Sequence, residues 1–90
     1  MGKTFFIDMC TFYILQSSSL GVFYTGHTCD TMEVRLRKHN SNHKGFTGKA
    51  NDWRVVYTEK FTDKSTAYSR EREVKSWKSK VKILELVQSV

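Results

Sequence analysis

The chain contains no proline, so no X-Pro linker divides it. Its 90 residues read as one domain with a real but modest core and a small margin of stability. Cysteine is scarce, with only Cys10 and Cys29. Two cysteines do not make a disulfide framework, and they fit two thiols in a reducing cytosol. Neither has a neighbourhood that suggests a thiolate nucleophile. Long apolar runs are missing as well. The longest, Phe5 to Leu15, is interrupted by Asp8 and is too short to span a bilayer. It also lacks the small-residue cleavage site of a signal peptide.

Several motifs fail on inspection. There is no G-x-S-x-G elbow of a serine hydrolase. Gly2-Lys3-Thr4 looks like the end of a P-loop, but no strand or glycine loop precedes it. The myristoylation pattern fails because Phe6 stands where Ser or Thr is required. His39 and His43 have a spacing found in some zinc sites, yet Cys10 and Cys29 lie much farther apart than the roughly two to four residues of a zinc finger.

What remains is aromatic and basic. Hydrophobic residues at 39% and aromatics at 13% suffice for a packed fold and argue against disorder. The net charge of +6 is uneven. Lys3 against Asp8 and Asp30 leaves residues 1–30 slightly negative, and the rest of the chain carries the excess. It is densest over 70–82, where Arg70, Arg72, Lys75, Lys78, Lys80 and Lys82 face only Glu71 and Glu73. Such a block suits a polyanionic partner, nucleic acid being the commonest, or else forms a solvated helix face.

Residues 1–10 show little periodicity and read as an N-terminal leader, with the domain over 11–90. Phe12 to Gln16 is aromatic and β-branched and predicts a strand. Ser17 to Gly21 predicts a turn, and Val22 to Thr28 a second strand, the two forming a hairpin. Alternation places Tyr13 with Leu15 on one face, and Tyr24 with Gly26 on one face. Asp30 as N-cap and Glu33 three residues on form a capping box for a helix to about Asn40. Residues 40–52 read as a loop. Trp53 to Phe61 predicts a third strand, with Val55, Tyr57, Glu59 and Phe61 on one side. Asp63-Lys64-Ser65 opens a helix to about Trp77. A last helix, about Ser79 to Gln88, turns Val81, Ile83, Leu84 and Val87 inward. The order ββαβαα is an α+β layer fold.

Some polar residues interrupt this pattern. Met32 and Leu36 mark the inward stripe of the first helix, and Arg35 and His39 flank it. A half-buried Arg needs an anionic partner, internal (Asp30 or Glu71) or external. Glu71 shares an inward stripe with Ala67, Val74 and Val81. A desolvated carboxylate there must be paired, for instance with Lys75, be protonated, or bind a cation. Tyr13 and Tyr24 individually read as strand packing, but Gly26 after Tyr24 marks the close approach of another backbone or a ligand.

Taken together, these residues resemble the GIY-YIG nuclease superfamily, in particular its small stand-alone, UvrC-like (excinuclease-like) bacterial domains. Phe12-Tyr13-Ile14 stands for the GIY element and Tyr24-Thr25-Gly26 for YIG. Gly26-His27-Thr28, Arg35 to Asn40, Trp53 to Tyr57 and Ala67 to Lys78 fit the later segments. The resemblance implies a three-stranded antiparallel sheet flanked by helices, in a cytoplasmic bacterial protein. It implies a metal-dependent endonuclease for DNA, nicked or branched substrates included, serving repair or recombination. One divalent ion, Mg²⁺ or Mn²⁺, would be held by Glu71. Tyr24 would help activate the attacking water, Tyr13 would orient it, Arg35 would grip the scissile phosphate, and His39 would accept a proton. With an ordinary pKa near ~6.5, His39 is the better-tuned base at neutral pH. His27, Arg37, Lys38, Arg70, Lys75 and Lys78 would contact nucleic acid. The resemblance also implies a homodimer or a partner protein that positions DNA. The alternative is a catalytically inactive nucleic-acid-binding module of the same fold.

Overall fold

The computed structural model describes residues 9–89, and residues 1–8 of the leader expected over 1–10 lie outside the described residues. One antiparallel sheet holds three strands, β1 (Cys10–Ser17), β2 (Val22–Thr28) and β3 (Trp53–Phe61), in the order β2-β1-β3. Three helices follow the hairpin: α1 (Met32–His39), α2 (Lys64–Trp77) and α3 (Lys80–Val87). A short 3₁₀ turn, Phe46–Lys49, interrupts the segment expected to be loop throughout. The predicted α+β class and the ββαβαα order are therefore observed.

β1 organises the molecule because it is central and covered on both faces. Phe12, Tyr13, Ile14 and Leu15 are all fully buried. A strand so enclosed carries a continuous apolar run rather than alternation. Phe12 and Ile14 meet Val74 of α2, with Phe23, Trp77, Ile83, Leu86 and Val87 packed around them. Tyr13 and Leu15 meet Trp53 on the opposite face, beneath Met32 and Leu36 of α1. The sheet thus lies between α2 and α3 on one side and α1 on the other.

Four expectations need correction. Cys10 and Cys29 are joined in a disulfide and are not two free thiols. The register explains the pairing: Thr11 opposes Thr28, so Cys10 and Cys29 are the next positions across the hairpin. The argument for a reducing compartment from two thiols therefore falls away. What the structure shows is that, among the described residues, no helix is long and apolar enough to cross a membrane. Second, Thr31, not Asp30, caps α1 by accepting the Val34 N–H at 3.2 Å. Third, Val55 and Tyr57 do not share a face. Ile14 opposes Tyr57 while Leu15 opposes Val55, so Val56 is an extra residue in a β-bulge that reverses the alternation. Fourth, Val81 and Leu84 of α3 are exposed; Ile83, Leu86 and Val87 form the inward stripe.

Replacing Cys10 and Cys29 together by Ser should lower the free energy of unfolding by about 3 kcal/mol, because a loop of this length is no longer closed in the unfolded chain. Urea denaturation of the double variant measures the loss, and reduced wild-type protein should match it.

Candidate active site

The Tyr13 hydroxyl is the hub of the site. It lies on the fully buried β1, directly opposite Gly26 of β2. A Cβ at position 26 would fall 2.6 Å from the Tyr13 oxygen and 2.7 Å from the carbon that bears it. Gly26 therefore admits the ring of its own cross-strand partner; the close approach is made by the Tyr13 side chain and not by the backbone or ligand expected from the sequence. Two side chains from α1 converge on the same oxygen. Arg35 Nε donates to it at 3.3 Å, and His39 Nε2 lies 2.6 Å away. Spacing of one helical turn puts Arg35 and His39 on the same stripe as Met32 and Leu36, which seat α1 on the sheet.

The 3₁₀ turn fixes which way the histidine points. Thr47 Oγ1 lies 2.8 Å from His39 Nδ1 and 2.9 Å from His43 Nε2, and the Gly45 N–H donates to His43 Nδ1 at 3.0 Å. A backbone N–H can only donate, so neutral His43 carries its proton on Nε2 and gives it to Thr47. His39 Nδ1 meets the same Thr47 oxygen and His39 Nε2 meets the Tyr13 oxygen, so the imidazole bridges the two hydroxyls. The Tyr13 oxygen thus accepts one hydrogen bond from Arg35 Nε and shares a second with His39 Nε2. The Thr47 carbonyl accepts the Trp53 indole N–H at 2.8 Å, and the Asn40 side chain pairs with both backbone groups of Trp53. These bonds pin the turn to β3.

Burial holds the His39 imidazole neutral, lowering its pKa from 6.5 to about 4, with the charge of Arg35 acting in the same sense. A base so weak is a poor acceptor at neutral pH, which counts against the expected tuning of His39. Burial also pushes the Tyr13 phenol above its ordinary value, against the opposing pull of Arg35. Arg35 is raised by its bond to Tyr13. Among the described residues no carboxylate lies within ion-pair distance of Arg35, so neither Asp30 nor Glu71 pairs with it.

Glu71 closes the other side. Ala67, Glu71 and Val74 share the buried stripe of α2, as their spacing predicts. Glu71 Oε1 pairs with His27 Nδ1 of β2 and Oε2 with Lys75 Nζ of α2, each at 2.6 Å. Burial pulls the Lys75 ammonium down, but the Glu71 carboxylate outweighs it and the net shift is upward. Lys75 Nζ also sits 5.6 Å from the centre of the Tyr24 ring, whose other neighbours are His39, Phe46 and Trp53. Tyr24 therefore joins the two halves at the β2 edge. Its hydroxyl makes no hydrogen bond among the described residues.

The six residues expected to meet nucleic acid divide into two groups. Arg37, Lys38, Lys75 and Lys78 are exposed, and half-buried His27 faces Glu71. Arg70 is committed elsewhere: it binds both Glu59 oxygens at 3.0 Å and Glu73 at 3.0 Å, and its guanidinium lies over Phe12 and Trp77. Sequence reasoning missed Thr47 and the role of His43. The spacing of His39 and His43 was a signal, but it pointed to metal chemistry and not to a shared hydroxyl.

Gly26→Ala should cost about 1–3 kcal/mol through overpacking against Tyr13, read as a lowered midpoint in chemical denaturation. His39 gives a pH signature. It is neutral in the fold but charged in the unfolded chain between pH 6.5 and about 4, so the stability present above 6.5 falls as the pH drops through that window. The full loss is roughly 3 kcal/mol. Denaturation of wild type and His39→Gln across this range should show a much flatter slope for the variant.

A family model described as the GIY-YIG catalytic domain matches residues 9–83. No curated protein and no solved structure matches the chain. The matched span runs from the start of β1 into α3 and contains Tyr13, Tyr24, Arg35, His39 and Glu71, and on it the chain belongs to the GIY-YIG family of nuclease domains.

Proposed function

We propose that this domain is a metal-dependent endonuclease that hydrolyses DNA phosphodiester bonds. The observation that carries the reading is Arg35. Its guanidinium is half-buried, bonded through Nε to a phenol, and has no carboxylate partner among the described residues. A cation held in this way has its remaining N–H groups available for a phosphate, to which it offers a planar charged fork.

Among the described residues no three His, Cys, Asp or Glu side chains form a metal cluster. One carboxylate is nevertheless enough for Mg²⁺ or Mn²⁺, which keeps waters and draws its other ligands from substrate phosphate. A carboxylate has about four lone-pair sites, and His27 and Lys75 use two of those on Glu71. Glu71 therefore fits as the protein ligand, and the ion would polarise a phosphoryl oxygen there.

The remaining chemistry belongs to the chain. Arg35 binds the phosphate and stabilises charge that develops on it. Tyr24, half-exposed on β2 with its ring beside the Lys75 ammonium, takes the proton of the attacking water as phenolate. Tyr13, fully buried, orients the site by holding Arg35 Nε and His39 Nε2. Thr47 and His43 hold the far side of the His39 ring. A phenolate base gains population as the pH rises, so cutting gains with it.

Cleavage of labelled duplex, nicked and flapped oligonucleotides tests this. Cutting should require Mg²⁺ or Mn²⁺, stop with chelator, and climb steadily from pH 6 to 9 without a plateau near 6.5. Glu71→Gln should remove metal-dependent cutting. Tyr24→Phe should slow it by roughly 10²–10⁴-fold. Arg35→Ala should cost about 10²–10³-fold. Full activity in Glu71→Gln defeats the metal role, whereas folded protein that binds DNA and never cuts is an inactive binding module.

A further inference from the structure

Beside the candidate active site lies a concavity of about 570 Å³ lined by His27, Lys64, Ser65 and Tyr68. Its neighbour, of about 400 Å³, shares His27 and Lys64 with it and extends to Arg35. A third, of about 380 Å³, begins at Arg35 and ends at His39 and His43. The three form one track with Arg35 in its middle, and His27, bonded to Glu71, stands where the first two join. The Tyr68 ring is 47% exposed in the wall of the first concavity, with the His27 ring 5.2 Å away. The Arg72 guanidinium lies 5.7 Å from its centre. No carboxylate lines this concavity among the described residues. Asp30, farther along the track, lies 3.8 Å from Lys38.

We propose that the Tyr68 concavity holds one unpaired nucleobase of the strand whose phosphate lies at Arg35. This rests on the reading of the site as a DNA-cleaving centre and names its substrate class. An aromatic wall set among Lys64, Arg72 and His27 has the chemistry of a single-strand platform, in which the ring stacks a base and the cations meet the flanking phosphates. The continuity of the track supplies the direction: a strand gripped at Arg35 reaches His27, which is bonded to Glu71, and then Tyr68. A base within a duplex is already stacked on both sides and cannot enter a pocket unless it is flipped out. The favoured substrate is therefore DNA with an unpaired nucleotide beside the cut, as in a flap, a gap or a single strand.

Fluorescence anisotropy in chelator measures binding without cleavage. Tyr68→Ala should weaken binding of a single-stranded oligonucleotide by about tenfold and change binding of the matching duplex by less than about twofold. Tyr68→Phe should bind like wild type. One abasic position, found by scanning the oligonucleotide, should reproduce the loss, and on that probe Tyr68→Ala should add nothing. Equal losses on both DNAs, no loss, or no binding to any DNA would overturn the pocket. If Tyr68→Ala loses its fold by circular dichroism, the abasic scan with wild type and Tyr68→Phe decides: a single sensitive position supports the pocket, and uniform binding overturns it. Parallel cleavage assays separate the two readings. Tyr68-dependent binding without cutting removes the nuclease and keeps the pocket; cutting without Tyr68 dependence removes the pocket alone.

Discussion

One buried phenol sets the terms for the rest of the structure. Tyr13 stands on the central strand with no exposed surface, and its oxygen is met by Arg35 and His39. Burying a polar group without a partner costs a few kcal/mol, roughly 1–3, so the hydroxyl must be satisfied inside the protein. Each partner brings a further requirement. Arg35 and His39 must come from one helix face. His39 must be neutral, and its other nitrogen needs Thr47. Thr47 is held in turn by the fold of the 3₁₀ turn, where a Cβ on Gly48 would strike the His43 carbonyl. The site is a chain of satisfied polar groups that begins at β1 and ends at a backbone N–H.

The same arrangement explains why the candidate site gathers at the hairpin edge. β1 cannot present a reactive group to solvent because both of its faces are covered. β2 is its neighbour and an edge strand, so groups from either side of the sheet can meet around it. From the α1 side come Arg35 and His39; from the α2 side come Glu71 and Lys75. Gly26 opens the sheet at that point, and Tyr24 with His27 lies on either side of the opening in sequence. The Lys75 ammonium touches both the Glu71 carboxylate and the Tyr24 ring, which couples the two halves electrostatically. The disulfide ties the base of the same hairpin where the chain leaves for α1.

Much of this was legible from residue spacing. The stripe of Met32, Arg35, Leu36 and His39 and the stripe of Ala67, Glu71 and Val74 both follow from helical periodicity, and each placed a charged or polar residue where burial was expected. What stayed hidden depends on register across elements. The bulge at Val56 reverses the faces of β3, and nothing local in Val55-Val56-Tyr57 announces it. The cysteine pair becomes adjacent only when Thr11 opposes Thr28. Thr47 is an ordinary loop residue until the turn brings its hydroxyl between two histidines. The His39 pKa depended on burial that a helix-end position does not reveal.

Charge counting gave the weakest guide, for a physical reason. The basic run over 70–82 suggested a continuous surface for a polyanion, yet its members are used differently. Arg70 is consumed by Glu59 and Glu73 and packs on Phe12 and Trp77. Lys75 is paired with Glu71, Lys80 donates to the Gly21 carbonyl, and Lys82 lies over Trp77. Arg70 thus staples α2 to the sheet, and Lys80 ties the start of α3 to the hairpin turn. The positive charge that faces the cleft comes from separate places: Arg35 on α1, and Lys64 and Arg72 at the start and middle of α2. A short chain with a small core spends part of its basic surplus on holding helices in place, and only the cations left without carboxylates can act on a phosphate.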